Sequence, residues 1–135
     1  LTDVTGVQTC ALPISWKSLR EAGIIVAASS DCPAASPNPW RGVDAAVNRV
    51  RVGDRTPVGG WYPGQKMDLD EALEMFTSNA SFSIGMERVL GSLEPGKFAD
   101  LVVLEDDPWE MADGDLSGVR VFAAFRGGEP IFGKI

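Results

Sequence analysis

Ile24-Ile25-Val26-Ala27-Ala28-Ser29-Ser30-Asp31-Cys32-Pro33 is the stretch whose reading decides the fold. Its first residues are apolar without alternation, the pattern of a short strand covered on both faces as in parallel α/β sheets. The polar end of such a strand faces the functional crevice, so Ser29, Ser30 and Asp31 are the first candidates for chemistry. Just upstream, residues 15–20 read as a short helix with Ser15 as N-cap, and Gly23 supplies a left-handed stop. A helix feeding a buried strand is an α/β unit, which sets the expected fold class as α/β.

Downstream, Pro33, Pro37 and Pro39 with Asn38 mark a loop leaving the strand end. Val43, Ala46, Val47 and Val50 then recur at helical spacing over residues 40–50. Residues 52–64 form a second irregular connection, rich in Gly and Pro, that carries Trp61 and Tyr62. Asp68 with Glu71 three residues later predicts a capping-box start to one helix, whose core face is Leu69, Ala72, Leu73, Phe76, Ala80 and Ile84 and whose end is Gly85. The period then changes. Residues 91–97 are turn-rich, 101–104 read as a short buried strand ended by Asp106-Asp107-Pro108, and 119–125 with 130–132 read as a hairpin around Gly127-Gly128-Glu129.

Taken together, Gly23 to Pro33, Ser36-Pro37-Asn38-Pro39-Trp40, Thr77-Ser78-Asn79-Ala80 and Gly91-Ser92-Leu93-Glu94-Pro95-Gly96-Lys97-Phe98-Ala99-Asp100-Leu101-Val102-Val103-Leu104 resemble the C-terminal part of the metal-dependent amidohydrolase superfamily. Within it the chain is similar to amidohydrolase family 3, which includes N-substituted formamide deformylases. The last of these motifs is specific to the superfamily but does not select a substrate. The resemblance implies a (β/α)8 TIM barrel with its site at the strand C-termini, plus a β-sandwich built from both chain termini. On that basis residues 15–88 are the expected end of the barrel, with its last strand and following helices, and 89–135 the C-terminal part of the sandwich.

The same resemblance assigns Asp31 as the aspartate that ends the last barrel strand, binds a divalent metal and shuttles a proton in metal-assisted hydrolysis of a non-peptide C–N bond. The metal expected in the complete protein is zinc, and the substrate a small-molecule amide. The family's other ligands are mainly histidines, and this chain has none. A zinc site ordinarily needs three or more protein ligands, so no metal and no catalysis are expected of this chain alone. Trp40, Arg41, Trp61 and Tyr62 are candidate substrate contacts from their loop context. Two alternatives stand beside this: a non-catalytic stand-alone interaction module, and another amidohydrolase branch such as a deaminase or cyclic amidase.

Other chemistry is less favoured. Ser29 and Ser30 have no histidine base, which excludes a Ser/His/Asp triad within the chain. Cys32 is expected to pack as a small hydrophobe. Asn79 is expected to tie backbone groups together, and Lys97 and Asp100 to stabilise the sandwich junction. Asp106-Asp107 and Asp113-Gly114-Asp115 lack EF-hand spacing and are expected to be solvated.

Residues 4–14 resemble the translation of a short-read sequencing adapter, so 1–14 are set aside from fold reasoning and natural sequence is expected to begin near Ser15. At 135 residues the chain is shorter than the roughly 250 of a whole barrel. A net charge of −7 with no basic stretch argues against nucleic acid and acidic membranes. No apolar run approaches the roughly 18 residues that span a bilayer. Two cysteines make no disulfide framework, and the cytoplasm is the default compartment, with export and oligomerisation left open.

Overall fold

The computed structural model describes residues 15–133; the adapter-like leader lies outside the described residues. Four short helices and a three-stranded sheet make a mixed α/β arrangement: α1 Trp16–Glu21, α2 Pro39–Val47, α3 Leu69–Phe76, α4 Ser78–Ser83, then β1 Leu101–Leu104, β2 Val121–Arg126 and β3 Glu129–Phe132. Among the described residues no helix is long and apolar enough to cross a membrane.

The core begins with α2 and α3. Asn38 caps α2, its Oδ1 accepting from the Trp40 N–H at 3.0 Å, and Pro39 occupies the first turn, where no amide hydrogen is needed. The face that α2 buries is Trp40, Val43, Asp44 and Ala46. The predicted capping box opens α3, with the Asp68 N–H donating to Glu71 Oε2 at 2.9 Å, and α3 buries Leu69, Ala72 and Met75. The two helices pack closely: a Cβ on Gly42 would collide with the Phe76 ring. Leu116, which opens a 3-10 turn at Leu116–Gly118, and Val119, which follows it, enter the same cluster, so the core joins segments from both sides of residue 88. Lys17 and Arg20 fasten α1 to α3 through Glu71, at 2.8 and 3.1 Å, and Arg20 reaches Glu74 at 2.7 Å.

Expectations for residues 24–28 and 69–84 are corrected. Residues 24–28 are not in a strand ladder and are not covered on both faces: Ile24 and Ile25 are about half exposed. A parallel strand exists only as a member of a pair, and no described residue supplies the partner. The segment is held instead by the Ala28 N–H donating to Met75 O at 2.9 Å and by Asn79 Nδ2 donating to Val26 O at 3.0 Å. That second bond is the backbone-tying role predicted for Asn79. The helix expected from Leu69 to Ile84 breaks at Thr77 (φ −122°, ψ −93°) into α3 and α4, leaving Ile84 exposed. Thr77 Oγ1 donates to Leu73 O at 2.7 Å, the back-bonding by which threonine bends helices.

The sheet has the order β1-β2-β3, both pairs antiparallel, with Leu101 opposite Phe125 and Arg126 opposite Glu129. Gly127 and Gly128, at φ 59° and 85°, form the two-residue turn, so Glu129 belongs to β3 and not to the turn. The strand at 101–104 is present, but Val102 and Val103 are exposed. Asp100 Oδ1 accepts from the Gly127 N–H at 2.6 Å, and Lys97 Nζ donates to Ser92 Oγ at 2.7 Å, so both steady the entry to the sheet.

Candidate functional site

Asp31 lies at the tip of a loop anchored on both sides. Upstream, residues 26–28 are tied to α3 and α4 as described; downstream, Asn38 caps α2 and its Nδ2 donates to Ser117 O at 3.3 Å. Between these anchors Asp31 takes a left-handed conformation (φ 52°), uncommon outside glycine but tolerated by aspartate. Its N–H donates to Ser29 Oγ at 3.4 Å and its carbonyl accepts from the Ala34 N–H at 2.8 Å, closing the turn. The side chain is exposed, and among the described residues its carboxylate accepts no hydrogen bond and forms no ion pair. The loop's own polar groups are thus spent on its shape, leaving the carboxylate available to a ligand. Cys32 beside it is exposed, not packed as expected.

The donor set tests the metal. Among the described residues no three His, Cys, Asp or Glu side chains gather where an ion could be held. Asp31 by itself offers one hard oxygen donor group, which does not satisfy a tetrahedral zinc. The described residues by themselves do not fit a resident ion.

The four candidate substrate contacts fall in different places. Trp40 is 8 % exposed and packs in the core; Arg41, its neighbour on α2, is exposed. Trp61 and Tyr62 are exposed and adjacent, with ring centroids 5.6 Å apart. Their loop is held by the Trp61 N–H donating to Arg49 O at 2.8 Å and by Arg49 Nε donating to Trp61 O at 2.6 Å. Left-handed residues cluster here, at Arg49, Arg55 and Tyr62.

Sequence reasoning missed Asp44. It is fully buried on α2 and gathers three segments: its Oδ1 accepts from Asn48 Nδ2 at 2.9 Å and from the Leu116 N–H at 3.2 Å, and its Oδ2 accepts from Arg55 Nη1 at 2.6 Å. Asn48 and Arg55 both also donate to Gly114 O. The available signal was an acidic residue inside the apolar run 43–47, four residues before Asn48. The electrostatics elsewhere bind elements together. Burial pushes the Glu71 carboxyl up, but the Lys17 hydrogen bond, the Asp68 amide and the Lys17 and Arg20 charges outweigh it and hold the pKa below 4.5. Asp106 is held low by its hydrogen bonds from Arg120, which pins the exit of β1 to the entry of β2.

Comparison with known proteins places this geometry. The chain is 31% identical over 118 residues to Protein LONG AFTER FAR-RED 3 of Arabidopsis thaliana, covering 87% of this chain and 19% of that protein. It is 33% identical over 113 residues to N-substituted formamide deformylase of Arthrobacter pascens, covering 83% of this chain and 20% of that enzyme. The chain thus spans about a fifth of the length of these relatives. The fold is similar to that of an amidohydrolase from Thermotoga maritima, with a TM-score of 0.69 at 23% identity, covering 98% of this chain and 30% of that one. The sequence profile of the amidohydrolase family matches residues 2–132, and the chain belongs to that family.

Proposed function

We propose that this chain is the C-terminal part of an enzyme that hydrolyses a non-peptide C–N bond in a small amide, with Asp31 as its proton-carrying carboxylate. The observation that carries the reading is an anchored loop holding an exposed carboxylate with no partner among the described residues, inside a stretch that matches the family. As water adds to the carbonyl carbon, Asp31 accepts its proton; as the C–N bond breaks, Asp31 returns that proton to the leaving nitrogen. Family members generally use a divalent metal, zinc being the expectation here, and such an ion acidifies water. The described residues by themselves do not supply the donors that would hold it. Arg41, Trp61 and Tyr62 are proposed to line the substrate's path, while Trp40 acts by seating α2 in the core.

The test starts with the DNA upstream of the Ser15 codon. The expected result is an open frame that continues into segments bearing paired histidines; a genuine start codon and leader at that point would overturn the proposal and favour an interaction module. In the protein encoded by the continuous frame, Asp31→Asn is expected to lower kcat for an N-substituted formamide by about 10²–10⁴-fold with little change in KM. Near-normal turnover would overturn the role of Asp31.

A further inference from the structure

The segment that leads into the Asp31 turn is held on both sides of one residue. Asn79 Nδ2 donates to Val26 O at 3.0 Å and the Ala28 N–H donates to Met75 O at 2.9 Å, so the two bonds flank Ala27. The Val26 and Ala28 side chains pack against the core cluster. Ala28 stands three residues before Asp31, close enough for a shift of this segment to carry the carboxylate with it.

Both holding groups come from the elbow between α3 and α4. In an unbroken helix the Met75 carbonyl accepts from the amide four residues on, that of Asn79. Here it accepts from Ala28. The same rule assigns Leu73 O to the Thr77 N–H, yet that N–H donates to Glu74 O at 3.2 Å, and the Thr77 hydroxyl takes Leu73 O at 2.7 Å. Thr77 thus satisfies with its side chain the carbonyl that its backbone leaves. Asp31, for its part, takes φ 52°, a conformation that a non-glycine residue keeps only where its surroundings hold it. The elbow supplies the upstream hold, and the Asn38 cap of α2 the downstream one.

We propose that the Thr77–Asn79 elbow sets the position of Asp31, Thr77 and Asn79 being positioning residues that act on the carboxylate through segment 26–28. The role in turnover rests on the hydrolase reading, whereas the mechanical coupling does not.

The coupling is tested on this chain alone. Amide exchange followed by NMR at Ala28, bonded to Met75 O, and at Ala34, bonded to Asp31 O, reads the clamp and the Asp31 turn separately. Asn79→Ala is expected to speed both about tenfold, the scale of one hydrogen bond, while the amides of Asn48, at the end of α2, and Glu105, beside the sheet, stay within about twofold. Thr77→Val, at an exposed position, is expected to act in the same direction, and Thr77→Ser, which keeps the hydroxyl, to exchange as the parent does. Unchanged exchange at Ala34, or equal acceleration at all four amides, would overturn the coupling. The role in turnover is tested in the protein encoded by the continuous frame. There Asn79→Ala is expected to lower kcat by about 10²-fold, the scale of a misplaced reacting group, with KM within about twofold, and to have no further effect when combined with Asp31→Asn. The same loss in the Asp31→Asn background would overturn the positioning role. Near-normal turnover by Asp31→Asn alone would remove the hydrolase reading and the positioning role with it, while the exchange result would still decide the coupling.

Discussion

At the scale of single residues, two aspartates stand in opposite environments, and burial decides what each contributes to stability. Asp31 is exposed and its carboxylate holds nothing among the described residues, so Asp31→Asn is expected to change stability by less than about 0.5 kcal/mol in urea denaturation, whatever it does to turnover. Asp44 is fully buried and accepts from Asn48, Arg55 and the Leu116 backbone. Asp44→Ala strands those donors, one of them a charge, and is expected to cost about 2–4 kcal/mol in the same measurement. A loss below about 1 kcal/mol would mean that the network is not what joins α2 to the 114–116 turn. Asp31 was singled out by its resemblance to a family motif that lies within a few residues of it. Asp44 was not, because its partners Arg55 and Leu116 are distant in the chain, and no spacing rule connects them.

At the scale of elements, α1 depends on α3 through a charge cluster, and that dependence has a pH signature. The Glu71 carboxyl is held below its ordinary 4.5. A depressed folded-state pKa contributes stability that is fully present above the unfolded value and is lost as pH falls through the folded one. With its side chain 17 % exposed against Lys17 and Arg20, the contribution is on the order of 1 kcal/mol. Glu71→Gln should therefore melt several degrees below the parent at pH 7, and the gap should close as both are taken below pH 4.5. A gap that persists at pH 3 would assign the effect to packing or to the capping box. The capping box itself, the α2 helix and the glycine turn between β2 and β3 were all readable, because each is set by residues within a few positions of one another. The break at Thr77 was not, since the apolar spacing of 69–84 continues through it, and the bonds made there, from Thr77 Oγ1 to Leu73 O and from Asn79 Nδ2 to the distant Val26 O, are not written in that spacing.

For the whole molecule, the described residues bury one small core and leave much apolar surface uncovered. Val102, Val103, Phe122, Ile131 and Phe132 on the sheet and Ile24 and Ile25 beside α1 are all exposed. β1 and β3 each have one unpaired edge among the described residues, and such edges invite further pairing. The chain is expected to associate as its concentration rises, read by light scattering on a sizing column. Val102→Lys should shift that onset to higher concentration without lowering the melting temperature, because the side chain is 57 % exposed. An unchanged onset would remove the sheet as the contact surface.

The sequence by itself carried the motifs that resemble the family, and local chemistry determined the sheet-entry turn, the β2-β3 hairpin and the capped starts of α2 and α3, because caps, turns and strand periods are written within one or two turns of chain. Only the tertiary structure decided that residues 24–28 have no strand partner among the described residues, that Trp40 belongs to the core and that Asp44 clasps three segments. These outcomes depend on pairs far apart in sequence, and the free energy of such contacts belongs to the folded arrangement, not to any window of residues.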